Sequence, residues 1–488
     1  MTRPAGAPTT SRLPLSTALA FAATSLPLSA LGLAVAVHLP AYFAANIGVP
    51  LAVVAAAFGT VRLIDVPIEV ALGLGMDRTR SRFGRYRLWT LLGAPFLMLG
   101  LYMLLTAGRG VGSGYLITWL LVMYLGVSIL MLSHHAWAAT LAKSYDDRAR
   151  LFGVMAAVGV LGAVTVLAIP IVMEQLGYGE AQGVRAMVWY LIVLAPIAVA
   201  VVVWRTPETI TREVPGQRFR LRDYLEIVTD RNMSRILLVD LMVSLGPGWM
   251  AALYILYSRD YMQFTAGEAN ILLLVYILAG IAGAPCLAWL ATKISKHRTV
   301  MFIAAAYSLL LISLPFLPKG SVLASLPTLF FTGFMAQGFN VLTRAMTADV
   351  ADEMRLKQGK ERSGLLYAMT TLTTKIAAGV SIFLTFGVLS RMGYDPQLGQ
   401  RNSPEAIQAL MLSFVVGPVF FVMLGAACLI GYRLTAERAA EVRRQLEARD
   451  AVLDLSGALV SLTGEEREAP RPPGPPQSRK PGPASLAE

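Results

Sequence analysis

Charge is scarce in this chain, at 15% of its 488 residues against roughly 25% in soluble domains. That shortage, beside 56% apolar residues, excludes a soluble enzyme, a disordered scaffold and a secreted disulfide module. Cysteine is nearly absent as well. Cys286 and Cys428 both lie inside apolar runs, which suits neither a disulfide framework nor a zinc site. There is no G-x-x-x-x-G-K-S/T loop and no extended soluble domain for ATP chemistry, so any transport is passive or driven by an ion gradient. No Ser-His-Asp or Cys-His arrangement can be assembled. The chain does not read as an enzyme, and no cofactor is expected beyond a coupling ion.

What the sequence has instead is long apolar runs. A hydrocarbon core of ~30 Å takes about 20 helical residues. Such stretches occur at 15–46, 51–76, 86–107, 115–142, 151–177 and 186–205, then at 234–260, 268–292, 298–317, 322–350, 363–392 and 405–434. Backbone groups in lipid must be bonded internally, so these are helices, and they are too long for barrel strands of ~10 residues. Arg3 and Arg12 precede the first run as in a signal peptide, but no clean small-residue cleavage site follows, so it is read as span 1.

The expected fold is an all-α membrane protein of twelve transmembrane helices. It divides into an N-terminal six-helix bundle (1–205), a linker (206–233), a C-terminal six-helix bundle (234–434) and a tail (435–488). The tail should begin as a charged helix from Arg438 to about Leu455 and end in a disordered run at 470–488. Two bundles joined this way are the layout of transporters with a solute site between them near the midplane.

The net charge of +12 is mostly an orientation signal. Basic clusters follow the even spans: Arg78, Arg80, Arg82, Arg85 and Arg87; Lys143, Arg148 and Arg150; Lys293, Lys296 and Arg298; Arg355, Lys357, Lys360 and Arg362. The opposite loops carry single charges, and the one around Arg391 and Arg401 is the richest. The positive-inside bias then predicts a multi-pass plasma (inner) membrane protein with both termini cytoplasmic. The partners expected are the lipid bilayer and a small-molecule solute, with no nucleic acid and a functional monomer.

Span 2 contains Arg62, Asp65 and Glu69, whose spacing puts all three on one helical face. They sit near the bilayer centre, where each charge costs at least ~2.5–3.5 kcal/mol. Two carboxylates one turn apart suit a hard monovalent cation or a shared proton; a structural salt bridge between helices is the alternative. Lys375, central in span 11, needs a carboxylate, a substrate anion or a neutral state. It either faces Asp65 or Glu69 across the central cavity or pairs within its own bundle. His134 and His135 are adjacent and point to different faces, so no metal site follows. Asp240 suits a gating or interfacial role. Trp137, Tyr254 and Tyr257 are of the type that stacks on a sugar ring, although packing is the commoner use of such residues.

The stretch Asp65-Val-Pro-Ile-Glu69 through Gly73-x-x-x-Asp77-Arg78-Thr79-Arg80-Ser81-x-x-Gly84-Arg85-Tyr86-Arg87-x-Trp89 resembles the signature of the glycoside–pentoside–hexuronide:cation symporters. These are the melibiose-permease group of the major facilitator superfamily. Three later stretches agree in order: Tyr145-Asp146-Asp147-Arg148-Ala149-Arg150-Leu151, then Ala348-Asp349-Val350-Ala351-Asp352-Glu353 with Gly359-Lys360-x-Arg362-x-Gly364, Tyr367 and Lys375, then Gly393-Tyr394. The resemblance covers spans 2 to 11. It implies the major facilitator fold and symport of Na⁺ or H⁺ with a sugar, glycoside or sugar acid by alternating access. A lysophospholipid or other amphiphile carrier of the same superfamily is the alternative.

By position, the resemblance makes Asp65 and Glu69 the cation-binding carboxylates, a possible Na⁺ site, and places Arg62 and Lys375 at the coupling site. Where the melibiose permease has sugar-binding aspartates, an ungapped comparison gives Ser29 and Ser133, while the neighbouring aromatic is kept as Trp137. Galactosides therefore become a doubtful substrate. Arg344 either favours an anionic solute or marks the end of the span. The basic loops suggest a cytoplasmic gate in which Asp77, Arg78, Arg85, Arg148, Asp349, Asp352 and Arg362 form ion pairs in one access state and release them in the other.

Overall fold

The computed structural model describes residues 13–142, 145–208, 228–358, 363–432 and 434–463; the side chains of Asp77, Tyr145, Asp146, Ala149, Gln358, Ser363, Gly364 and residues 450–463 are not among those described. Arg362 and the run 470–488 lie outside this set. Twelve helices are long and apolar enough to cross a membrane. They are α1 (Leu15–Ile47), α2 (Leu51–Met76), α3 (Arg85–Leu105), α4 (Ser113–Leu141), α5 (Arg150–Gln175) and α6 (Glu180–Arg205), then α7 (Arg231–Tyr261), α8 (Ala266–Ile294), α9 (Lys296–Phe316), α10 (Val322–Lys357), α11 (Leu365–Arg391) and α12 (Pro404–Cys428). A thirteenth helix, α13 (Ala436–Thr463), follows. The protein is an integral, multi-pass membrane protein.

Most span boundaries fall within three residues of the sequence reading. The largest difference, at the end of α10, has a physical cause. α10 runs on to Lys357, well past the end of its apolar run, because its polar end still makes helical pairs such as Lys357–Glu353 at 2.8 Å. Hydropathy marks where lipid ends, and a helix does not have to stop there.

Small residues set the helix contacts, as expected where lipid removes the hydrophobic drive for association. A Cβ at Gly126 would meet the backbone of Leu97, and one at Gly333 the carbonyl of Tyr276, so α3–α4 and α8–α10 approach at backbone distance. α1 is irregular: two π-helical turns, Ala34–His38 and Phe43–Ile47, flank Pro40, and Gly48 closes the helix at φ 85°.

The bundles meet mainly where α2 lies along α11. Gly59 packs on Phe383, and Gly379 leaves room for the aliphatic stem of Arg62. At Gly73, nearer the basic loops, nothing lies within 4 Å of a Cβ position. On the opposite face Arg259 of α7 pairs with Glu180 of α6 at 3.6 Å, and the amide of Gly267 in α8 donates to Glu174 of α5. The two bundles are therefore tied at mid-depth and on the face away from the basic loops.

Candidate functional site

At mid-depth, the Lys375 ammonium donates to Glu69 Oε1, an ion pair between the two bundles. Asp65, 3% exposed, sits one turn away. Its Oδ2 accepts from Arg62 at 3.4 Å and its Oδ1 from the Ser128 hydroxyl at 2.8 Å. Ser128 also lies 3.1 Å from Glu69 Oε1. One hydroxyl thus bridges both carboxylates. The Arg62 guanidinium rests 4.1 Å from the centroid of the Tyr124 ring.

Local sequence explains this placement. Pro67, between the two acids, has no N–H to give, so the Leu63 carbonyl loses its partner and α2 is free to bend at the site. Two acids and two bases balance in formal charge, which is how four ionisable groups persist at this depth. Replacing one positive partner by a bound cation keeps that balance.

The group faces a cavity of about 560 Å³, within the ~300–1,000 Å³ range of small-molecule sites. Arg62, Glu69, Ser128, Lys375, Ser29 and His134 contribute polar atoms to its wall. His134 stacks on Phe21 at 4.4 Å, and its Nε2 lies 3.3 Å from Ser25 Oγ. His135 lines the cavity as well. The wall continues to Phe152 near the start of α5, on the basic-loop side.

Two residues expected at this wall are elsewhere. Ser133 is buried against α3, where Thr90 donates to it at 3.0 Å. Trp137 is fully buried, its indole N–H donating to the Pro207 carbonyl at 3.3 Å and its ring edge-on to Phe21. They lie one turn apart on the face of α4 turned from the cavity, whereas Ser128 and His135 lie on the facing side. An ungapped comparison aligns positions, but the rotation of the helix decides which of them see the solute. Tyr254 and Tyr257 are also core residues: Tyr254 donates to the Ala269 carbonyl at 2.7 Å, and Tyr257 stacks on Phe414 at 3.9 Å.

The described residues of the expected gate take the following partners. Asp349 is held by Lys296 at 2.6 Å and by Arg443 of α13 at 3.0 Å, and Arg443 also reaches Asp352 at 3.5 Å. Arg85 bonds the Tyr86 hydroxyl at 2.5 Å, Arg148 caps α4 by donating to the Ala142 carbonyl at 3.0 Å, and Arg78 is exposed. Among the described residues, Asp349 and Asp352 take their partners from α9 and α13. Asp77, by its side chain, and Arg362 lie outside the described residues. Gly84 of the loop motif has a local reason: its φ is +99°, and a Cβ there would strike the Glu208 carboxylate. That carboxylate accepts from the amides of Tyr86 and Arg87 at 2.8 and 3.0 Å, capping the N-terminus of α3.

The sequence profile of the MFS/sugar transport proteins matches residues 20–436. The chain belongs to this family. Among relatives of this MFS/sugar transporter, the isoprimeverose transporter of Lactiplantibacillus pentosus is 22% identical over 422 residues, covering 82% of this chain and 85% of that one. The putative glycoside/cation symporter YagG of Escherichia coli (strain K12) is 24% identical over 430 residues, covering 83% and 89%. The crystal structure of the nucleoside transporter NupG superposes with a TM-score of 0.63 at 11% identity, over 86% of this chain and 99% of that one. That likeness shows the fold. As a member of this family the protein is a membrane transporter, not an enzyme.

Proposed function

We propose that this transporter is a symporter that couples Na⁺ or H⁺ to a sugar, glycoside or sugar acid. The observation that carries the reading is the Asp65–Ser128–Glu69 oxygen cluster, whose Ser128 and Glu69 line the cavity while Asp65 is buried behind them, with Lys375 of the other bundle occupying Glu69. Oxygen donors of this kind suit a hard cation or a proton. Without the ion, Lys375 neutralises Glu69. A cation arriving at Asp65 and Glu69 displaces the ammonium, which then donates to hydroxyl or carboxylate oxygens of the solute. Binding of each ligand thus prepares the site for the other. Likeness to isoprimeverose and glycoside/cation carriers over 82% and 83% of this chain supports sugars over amphiphiles as the solute class. With the basic loops facing the cytoplasm, the ties on the opposite face close the external side. Both termini are then cytoplasmic, the membrane is the plasma (inner) membrane, and the monomer is the working unit.

The test is uptake into proteoliposomes. A labelled sugar or glycoside should accumulate above its external concentration when an inward Na⁺ or H⁺ gradient is imposed, and only equilibrate when the gradient is collapsed by an ionophore. Equal accumulation with and without a gradient would remove the coupling from this reading.

A further inference from the structure

A second compartment of about 350 Å³ lies between α7, α8, α10 and α11 of the C-terminal bundle, with Val160 of α5 also on its wall. It shares Thr374 with the main cavity, one residue from the coupling lysine. Its walls carry no charged side chain; the polar atoms come from Ser244, Tyr276, Gln337, Asn340 and Thr374. Gln337 and Asn340 are three apart on α10 and so share a face. Both are exposed, and their side-chain amides take no protein partner among the described residues. The close approach of α8 and α10 at Gly280 and Gly333 seats the pair beside the compartment, with the Gln337 Cβ 3.4 Å from a Cβ position at Gly280.

Unpartnered amides on a membrane helix are costly unless they face water or a ligand. Each amide offers donors and an acceptor together, which matches the mixed character of sugar hydroxyls and not a fixed charge. Thr374 is anchored, its hydroxyl 3.2 Å from the buried Asp240 carboxylate, which Thr373 also contacts at 2.6 Å. That gives Asp240 a role in holding the wall where the two compartments meet.

We propose that this compartment is a second subsite, in which Gln337 and Asn340 bind an uncharged, hydroxyl-bearing segment of the solute while a first unit lies against Lys375. The occupant assigned here rests on the sugar-carrier reading above. The carrier then prefers solutes of two linked units to single sugars. Purified full-length wild type, Gln337→Ala and Asn340→Ala are titrated with methyl glycosides of xylose, glucose and galactose, and with xylobiose, cellobiose and lactose. The ratio of two-unit to one-unit affinity is expected to fall about tenfold in each variant, the worth of one good hydrogen bond. An unmoved ratio overturns the subsite. A readout that needs no sugar is Gln337→Cys, with Cys286→Ala and Cys428→Ala removing the two native thiols. A charged, water-soluble methanethiosulfonate should label it, and absence of labelling also overturns the subsite. Labelled Gln337→Cys beside a wild type that binds none of the probes would overturn the sugar-carrier reading, and with it the occupant assigned here.

Discussion

Asp65→Asn and Glu69→Gln are each expected to lower gradient-driven accumulation at least ~100-fold while the protein still folds and inserts. Hydrogen bonds to charged groups are worth about 1.5–3 kcal/mol, and a bound cation loses a full charge as well as a ligand, which together support a loss of that size. The substitutions keep shape, so packing around the 3% exposed Asp65 is preserved. Passive exchange of solute should survive better than accumulation, since the cavity itself is intact. The measurement is accumulation and exchange in the same proteoliposomes. Equal loss of both would mean a structural role for the acids; unchanged accumulation in both variants would remove them from the coupling site.

Lys375→Ala carries the second large effect, and its sign is informative. Lys375 competes with the cation for Glu69, so removing it should tighten cation binding. Charges at ~4 Å interact by roughly 4 kcal/mol at an effective dielectric of 20. The pair is 21% and 16% exposed, so solvent reduces that, and about tenfold tighter binding is the expected scale. Accumulation should nonetheless collapse, because the ammonium is no longer freed for the solute. Truncating one member of a buried pair otherwise costs about 3–5 kcal/mol, so stability should recover when the cation is added. Cation titration of the purified variant checks this. Weaker cation binding in Lys375→Ala would make the lysine a supporting ligand and not a competitor.

The parts of the site that were legible in the sequence are those that violate the membrane's rules. Arg62, Asp65, Glu69 and Lys375 stand out because charges inside apolar spans are rare, and helical spacing already put the first three on one face. That Lys375 needs a partner was legible too, but which one was left open, and the structure pairs it with Glu69 across 306 residues. Ser128 was not legible. A serine in an apolar helix is unremarkable, and only the packing of α4 on α2 shows that it touches both acids. Ser133, five residues on, was singled out as the counterpart of a sugar-binding aspartate through a positional likeness that cannot resolve helix rotation. Gln337 and Asn340 were missed because uncharged amides fall below the signal that charge provides.

The charged loop clusters show the same limit. That Asp349 and Asp352 matter electrostatically could be read from their setting, but the partners could not. Lys296 lies 53 residues away and Arg443 94 residues away, on elements whose docking no local pattern encodes. Twelve spans, by contrast, were legible, most of their ends to within about three residues, since the bilayer imposes a minimum length and an apolar composition.

The central claim is that cation and solute share one electrostatic site through the Glu69–Lys375 pair. Reciprocal binding tests it most directly. Solute affinity is measured with and without the cation, and cation affinity with and without the solute, on purified wild type and Glu69→Gln, using the tightest-binding saccharide of the probe set. Each ligand should tighten the other by the same factor in the wild type, as linkage requires, and that factor should fall to about one in Glu69→Gln. A factor retained in Glu69→Gln, or no mutual effect in the wild type, would contradict the account.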